Sequence, residues 1–229
     1  MTTSTADLWH HYGRARHVTD RAVSGDFRWN WDQSGGPGAE VLGDLAGAHV
    51  GDLGAGAARH AAHLAVHHRP GRVDAVDASP AQYAMATDLY GHLAPRLRLV
   101  RSDVVGHLHA HPDSYDVLYS VFGAVDFTEP RALLPAAVAA LRPGGRLVFS
   151  TLGHYRNGAP AQPDVRHADI PARTPEGGAT TMRRWVLQER VWTELLDEAG
   201  FTRISVRVLP GGAGARAADA LLVSGFRSS

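Results

Sequence analysis

The chain has no cysteine and no lysine among its 229 residues. The first absence excludes disulfides, thiolate nucleophiles and cysteine-based zinc sites. The second excludes a Schiff-base lysine, hence ordinary pyridoxal-phosphate chemistry, and the P-loop lysine of nucleoside triphosphatases. All 23 basic side chains are arginine, and 23 acids balance them to zero formal net charge. That balance leaves no electrostatic footprint for nucleic acid or an anionic membrane surface, and small neutral ligands fit it better. No apolar run approaches the ~20 residues that cross a bilayer. Residues 1–20 are polar and contain no apolar signal-peptide segment, so a cytoplasmic location is expected. At this length one domain with an added cap is the expected organisation: a leader over 1–38 and a core domain over 39–229.

What is present is organised around Val50-Gly51-Asp52-Leu53-Gly54-Ala55-Gly56-Ala57-Ala58-Arg59. A short apolar approach runs into two glycines, and an alanine-rich helical stretch over 57–67 follows directly. This reads as strand, tight turn, helix. Glycine allows a sharp turn and close approach of a ligand to main chain, and the helix start offers unpaired N–H groups. A dinucleotide fingerprint needs a third small residue at position 59, which holds arginine, and Asp52 would repel a pyrophosphate. The details favour a cationic ligand over NAD; a turn that serves no ligand stays open on these residues alone.

Downstream, the sequence alternates: strands at 72–77, 97–101, 115–121 and 146–151, with helices at 80–92, 104–110 and 129–141 between them. With strand 49–53 this predicts a doubly wound α/β fold on a mostly parallel sheet. A helix over 188–199 closed by Gly200, and a strand pair over 203–209 and 220–226 joined by a flexible glycine-rich loop, complete it. Residues 153–180 show no period and are expected to be an irregular insertion of functional or mobile character, with 184–187 as a short strand.

Ahead of the core, Leu8, Trp9, Tyr12, Ala15, Val18 and Val23 recur at helical spacing, predicting an amphipathic helix over 6–24. Phe27, Trp29 and Trp31 then crowd into five residues of a chain with 7% aromatic content. They read as a hydrophobic lock of leader onto domain, or as an aromatic lid over a cationic ligand, or as both. A short helix is expected over 39–45.

Asp77 ends the second strand 25 positions after Asp52. A carboxylate there can accept both hydroxyls of a ribose and repels a 2′-phosphate. Asp103 ends the third strand, where it can accept from an exocyclic amine. Each acid alone also reads as a helix cap; together, at the carboxyl ends of three successive strands, they line one crevice.

These pieces, with Val76-Asp77-Ala78-Ser79, Ser102-Asp103-Val104, Tyr115-Asp116-Val117-Leu118 and Leu141-Arg142-Pro143-Gly144-Gly145-Arg146-Leu147-Val148, resemble class I S-adenosylmethionine-dependent methyltransferases over about residues 39–226. The departures are Ala58, where the family's third glycine falls, and Gly51, where a larger apolar residue is common. The resemblance implies a Rossmann-like, seven-stranded sheet of order 3-2-1-4-5-7-6 with an antiparallel seventh strand, and S-adenosylmethionine as cofactor. It implies Gly54 and Gly56 at the methionine part, Asp52 facing its positive charge, and Asp77 on the ribose. Ala78 and Gln82 would lie near the adenine, Asp103 and Val104 on its edge, and 119–122, including Ser120, beside the sulfonium. Tyr12 is grouped with the cofactor residues. Trp29, Trp31, Phe122 and Tyr155 are assigned to the acceptor side and lid.

In size and layout the chain is similar to small bacterial methyltransferases of secondary metabolism. It lacks the Asn/Asp-Pro-Pro-Tyr of enzymes acting on nucleic-acid amines and protein glutamine. A small-molecule acceptor is expected, with no nucleic-acid or membrane partner, and 153–180 on the substrate side. Methyl transfer from a sulfonium needs mainly alignment. A general base is needed only for a hydroxyl or protonated amine, and His154 and His11 are the first candidates, then His10 and His167. His60, His63 and His67, and His107, His109 and His111 on an extended strand, invite a metal reading, but no acidic partner accompanies them and no metal is expected. The alternatives are a protein that binds S-adenosylmethionine without turnover, and an NAD-dependent oxidoreductase.

Overall fold

Short apolar runs bounded by glycine, aspartate or proline form the strands, and the stretches between them coil onto both faces of the resulting sheet. The computed structural model describes residues 8–12, 22–212 and 218–229. In chain order the elements are β1 (His49–Leu53), α1 (Arg59–His67), β2 (Arg72–Asp77), α2 (Pro80–Tyr90), β3 (Leu97–Arg101), α3 (Val104–His109) and β4 (Tyr115–Val121). Then follow α4 (Ala124–Phe127), α5 (Pro130–Ala140), β5 (Leu141–Leu152), β6 (Ala168–Arg173), β7 (Ala179–Arg184), α6 (Glu189–Glu198), β8 (Phe201–Leu209) and β9 (Ala220–Arg227).

The main sheet has the order β3-β2-β1-β4-β5-β9-β8. β1 to β5 pair in parallel, and β9 runs antiparallel to both β5 and β8. Counting only the strands of this sheet, that is the expected 3-2-1-4-5-7-6. β1, β2 and β4 are buried almost end to end, as strands covered on both faces must be. Leu64, Leu89, Tyr90, Phe27 and Trp29 cover one face. Leu108, Leu133, Leu134, Trp192 and Leu195 cover the other.

Several expectations are corrected. Residues 153–180 are not irregular throughout, because β6 and β7 form a two-stranded antiparallel hairpin. Every second residue of β6 is exposed and Pro171 sits in it, so the strand carries too little apolar signal to read from sequence. α4 was not anticipated; it is a single turn, shorter than any helical period can reveal. Most of the expected helix over 6–24 lies outside the described residues. Within them, Leu8 and Trp9 form a short 3-10 turn and 22–24 are not helical. At Gly51, where a larger residue is common in the family it resembles, a Cβ would strike Leu118, whose side chain fills the space.

Candidate active site at the strand ends

The turn after β1 is built from alternating left-handed residues: Gly54 at φ 78°, Gly56 at φ 55° and Ala58 at φ 59°. The amides of Gly54 and Ala55 both donate to Val76 O on β2, at 2.9 and 3.0 Å, which ties the turn to the neighbouring strand. A Cβ on Gly54 would run into the backbone nitrogen of Ala124, so glycine is required there by the approach of the β4–α4 connection. Gly56 differs: a Cβ would meet only Gln82 Oε1, at 3.5 Å. Its free side is where a ligand can reach main chain. Ala58 is fully buried and caps α1 in a conformation that costs an alanine about 1–2 kcal/mol.

The three strand-end acids have three different environments. Asp77 accepts from Gly56 N through Oδ2 and from Ser79 N through Oδ1, both at 2.8 Å, so the carboxylate fixes the glycine turn to the end of β2. Burial pushes its carboxyl up, opposed by these two amides. Asp103 is exposed and accepts from Gly106 N at 2.8 Å, the cap of α3. Asp52 is 3% exposed and accepts a 2.8 Å hydrogen bond from the Tyr119 hydroxyl. Burial pushes its carboxyl up to about 7, against the Tyr119 donor and with the help of Asp77's negative charge. Two carboxylates on adjacent strands flanking one glycine turn make a site that favours a cation next to a hydroxylated ring.

Gln82 and Tyr12 have another duty. The Gln82 amide donates to Trp9 O and Tyr12 O, at 3.0 and 2.9 Å, and holds the short leader turn 8–12 against α2. Trp9 packs edge-on against Phe127, and His11 Nε2 donates to Thr174 O and Pro175 O at the tip of the β6–β7 hairpin. The turn thus bridges α2, α4 and the hairpin, with the Tyr12 ring 59% exposed. Ala78 is exposed, whereas Val104 starts α3 and points into the core. Ser120 is fully buried and its hydroxyl donates to Leu53 O at 2.7 Å, so its side chain locks β4 to the end of β1.

The methyltransferase domain family matches residues 50–145, from β1 to the Pro-Gly-Gly turn, a span that holds the glycine turn and all three acids. That match makes the glycine turn and the acids beside it a methyltransferase-like segment of the chain. Solved structures agree in fold. An S-adenosylmethionine-dependent methyltransferase from Mesorhizobium loti is 22% identical, with 82% of this chain and 94% of that one covered, at a TM-score of 0.58. The Burkholderia thailandensis 1,6-didemethyltoxoflavin-N1-methyltransferase, with 1,6-didemethyltoxoflavin and S-adenosylhomocysteine bound, is 21% identical over 83% and 75% of the two chains, at 0.58. A Haemonchus contortus phosphoethanolamine N-methyltransferase with S-adenosylmethionine is 14% identical over 83% of this chain and 51% of that one, at 0.62. No curated protein sequence matches the chain.

In this chain the aromatic leader divides into two parts. Trp29 is fully buried, donates from Nε1 to Gly38 O at 2.9 Å and packs with Phe27 against Tyr119. It is a lock and not a lid, which corrects its assignment to the acceptor side. Trp31 lies beyond it in a turn, half-buried, edge-on to Phe122 at 5.1 Å. Arg156 and Arg184 stand over its ring at 5.0 and 5.4 Å. Tyr155 is 8% exposed and packs beside Leu152, Ala161 and Val186, below the Trp31–Phe122 pair.

Neither histidine expected as the base is placed as one. His154 Nδ1 donates to Tyr155 O at 3.0 Å and Nε2 accepts from Asp219 N at 3.3 Å, so the lone pair a base needs is occupied. His11 is exposed and spends Nε2 on the hairpin carbonyls. The histidine clusters are structural too. His63 Nδ1 donates to Ser24 O at 2.8 Å. His107 sits on a helix and not on a strand, and its Nε2 lies 2.7 Å from the Tyr115 hydroxyl, which itself donates to buried Asp74. Among the described residues no three metal-ligating side chains converge.

Sequence reasoning missed Tyr119 as a partner of Asp52, and the buried ion pair between Arg184 and Asp126, with Nη2 at 2.5 Å and Nε at 3.1 Å from Asp126 Oδ2. A tyrosine opposite an aspartate across β1 and β4 was readable only once the register, Asp52 beside Tyr119, was known.

Proposed function

We propose that the chain transfers the methyl group of S-adenosylmethionine to a small-molecule acceptor admitted beside Trp31 and Phe122. The observation that carries the cofactor part is the pair Asp52 and Asp77 on adjacent strands, with Gly56 open between them. The donor set fits: a buried carboxylate for the ammonium, a second carboxylate for the ribose diol, and bare main chain where the ligand passes. When bound, the cofactor would supply an electrophilic methyl carbon on a positively charged sulfur.

The residues of this chain hold and align the reactants, which can supply several orders of magnitude in rate. Asp52 and Asp77 fix the cofactor, and Phe122, following β4, packs edge-on to Trp31 on the acceptor side. The leader turn and the β6–β7 hairpin enclose the acceptor side. Supporting a small acceptor are the aromatic pair at the mouth, the zero net charge and the small molecules that similar folds carry. With labelled methyl donor and a panel of small hydroxylated and aminated aromatic compounds, label should enter one or more of them. Label entering RNA or protein while the panel stays unlabelled contradicts the reading.

The two tryptophans should separate in experiment. Trp31→Ala lowers turnover of an accepted compound by about tenfold, the scale of a lost aromatic contact, while S-adenosylhomocysteine affinity and melting temperature stay near wild type. Trp29→Ala costs about 3–5 kcal/mol of stability, as large-to-small changes at fully buried aromatic sites do. Thermal melts with steady-state kinetics on both variants check this.

Cofactor binding should depend on pH through Asp52. In the free protein its carboxyl titrates at about 7. A cationic ligand favours the carboxylate and so lowers that value on binding, which means that the proton must leave before or as the ligand enters. Affinity is therefore flat above about pH 8 and falls by up to about tenfold per unit below 7. Titration calorimetry from pH 5.5 to 8.5 measures it, and Asp52→Asn should flatten the profile.

A further inference from the structure

We propose that Tyr119 is a positioning residue for the cofactor's cationic end, holding the Asp52 carboxylate in its binding orientation from inside the core. The inference rests on the cofactor reading above. Asp52 and Tyr119 are direct neighbours across the parallel β1–β4 pair, and the phenol donates to Oδ2 at 2.8 Å. Tyr119 is fully buried, with Phe27 and Trp29 against its ring at centroid distances of 5.8 and 6.3 Å. Phenylalanine would fill that apolar space equally well. What the hydroxyl adds is a donor to a carboxylate almost out of water, and a buried carboxylate without donors is costly.

The groups that act on Asp52 come from both flanking strands, Tyr119 on β4 and Asp77 on β2. Asp77 repels the ionised form and burial disfavours it, while the Tyr119 hydroxyl favours the carboxylate and aims it. Tyr119 in turn is held as a neutral phenol by its burial and by Asp52. Phe27 and Trp29 fix the ring, and the Trp29 indole is itself anchored on Gly38 O. The aromatic leader thereby reaches the cofactor carboxylate through one side chain, which gives the buried half of the Phe27-Arg28-Trp29 stretch a role beyond packing.

The test is titration of Tyr119→Phe with S-adenosylhomocysteine between pH 6 and 9, beside wild type. Loss of the donor raises the pH at which Asp52 ionises. The variant should bind about tenfold more weakly at pH 7, the scale of a lost hydrogen bond to a charged group, and recover much of that loss by pH 9. Its affinity midpoint moves up by about one unit. In an Asp52→Asn background the same change should have little further effect. A loss equal at every pH, or none, overturns the proposal, because a merely structural role would not move the midpoint. Should the variant fail to fold, the wild-type protein labelled with carbon-13 at tyrosine Cζ decides. One tyrosine resonance should titrate near pH 7 when free and stop titrating with S-adenosylhomocysteine bound; no titrating tyrosine overturns the assignment. Wild type that binds no S-adenosylhomocysteine at any pH refutes the cofactor reading instead.

Discussion

Asp77→Ala lowers S-adenosylhomocysteine affinity by about a hundredfold at neutral pH. The carboxylate would accept two ribose hydroxyls in a sheltered crevice, and each hydrogen bond to a charged group is worth about 1.5–3 kcal/mol. It also accepts from Gly56 N and Ser79 N, so its loss removes one of the bonds that tie the turn to β2. Melting should fall by only a few degrees, because the turn keeps the bonds from Gly54 and Ala55 to Val76 O. Asp77→Asn should fall in between, since the amide keeps one acceptor. Calorimetry with thermal melts separates binding from folding, and unchanged affinity in Asp77→Ala removes the residue from the site.

The second large effect is on stability. Arg184→Ala should cost about 3–5 kcal/mol, since it strands the fully buried Asp126 without its partner. That is a large share of the ~5–15 kcal/mol that holds a domain of this kind together. Burial already pushes the Asp126 carboxyl up while the guanidinium pulls it down. With arginine gone only the Thr151 hydroxyl still opposes the upward push, so the folded variant binds a proton that its unfolded chain releases. The sign follows: the variant is more stable at pH 5 than at pH 8, losing stability as pH rises through the raised value. Arg184→Met with Asp126→Leu, which removes both charges, should recover most of the loss. Urea denaturation at the two pH values measures this, and a variant as stable as wild type at pH 8 contradicts the buried-pair account.

The frame of the fold was legible because its strands are apolar runs with hard stops. β1, β2, β3 and β4 begin and end at the expected residues. Asp52 and Asp77 were readable as neighbours because the carboxyl ends of adjacent parallel strands lie at one edge of the sheet, whereas Asp103 lies two residues past β3 and caps α3. Where local sequence leaves a position free, the reading failed. Trp29 and Trp31 look equivalent in sequence, yet the chain enters a turn at Asn30 and carries Trp31 away from the core that Trp29 enters. His107 and His111 stack at 4.2 Å because the chain turns back past the end of α3 and sets His111 against His107 O, whereas an extended strand would put His109 with them. His154 looked free because its two partners, Tyr155 O and Asp219 N, are backbone groups, one of them 65 residues away. The Asp52–Tyr119 and Asp126–Arg184 pairs span 67 and 58 residues, and only the folded register brings them together.

The most direct test of the account is a calorimetric titration of the protein with S-adenosylhomocysteine at pH 8, with NADH as the control ligand. Asp52 and Asp77 flanking an open Gly56 predict one site of micromolar affinity for S-adenosylhomocysteine and no heat from NADH. Binding of NADH in its place, or of neither ligand, contradicts the assignment of this crevice to a cationic adenosyl cofactor.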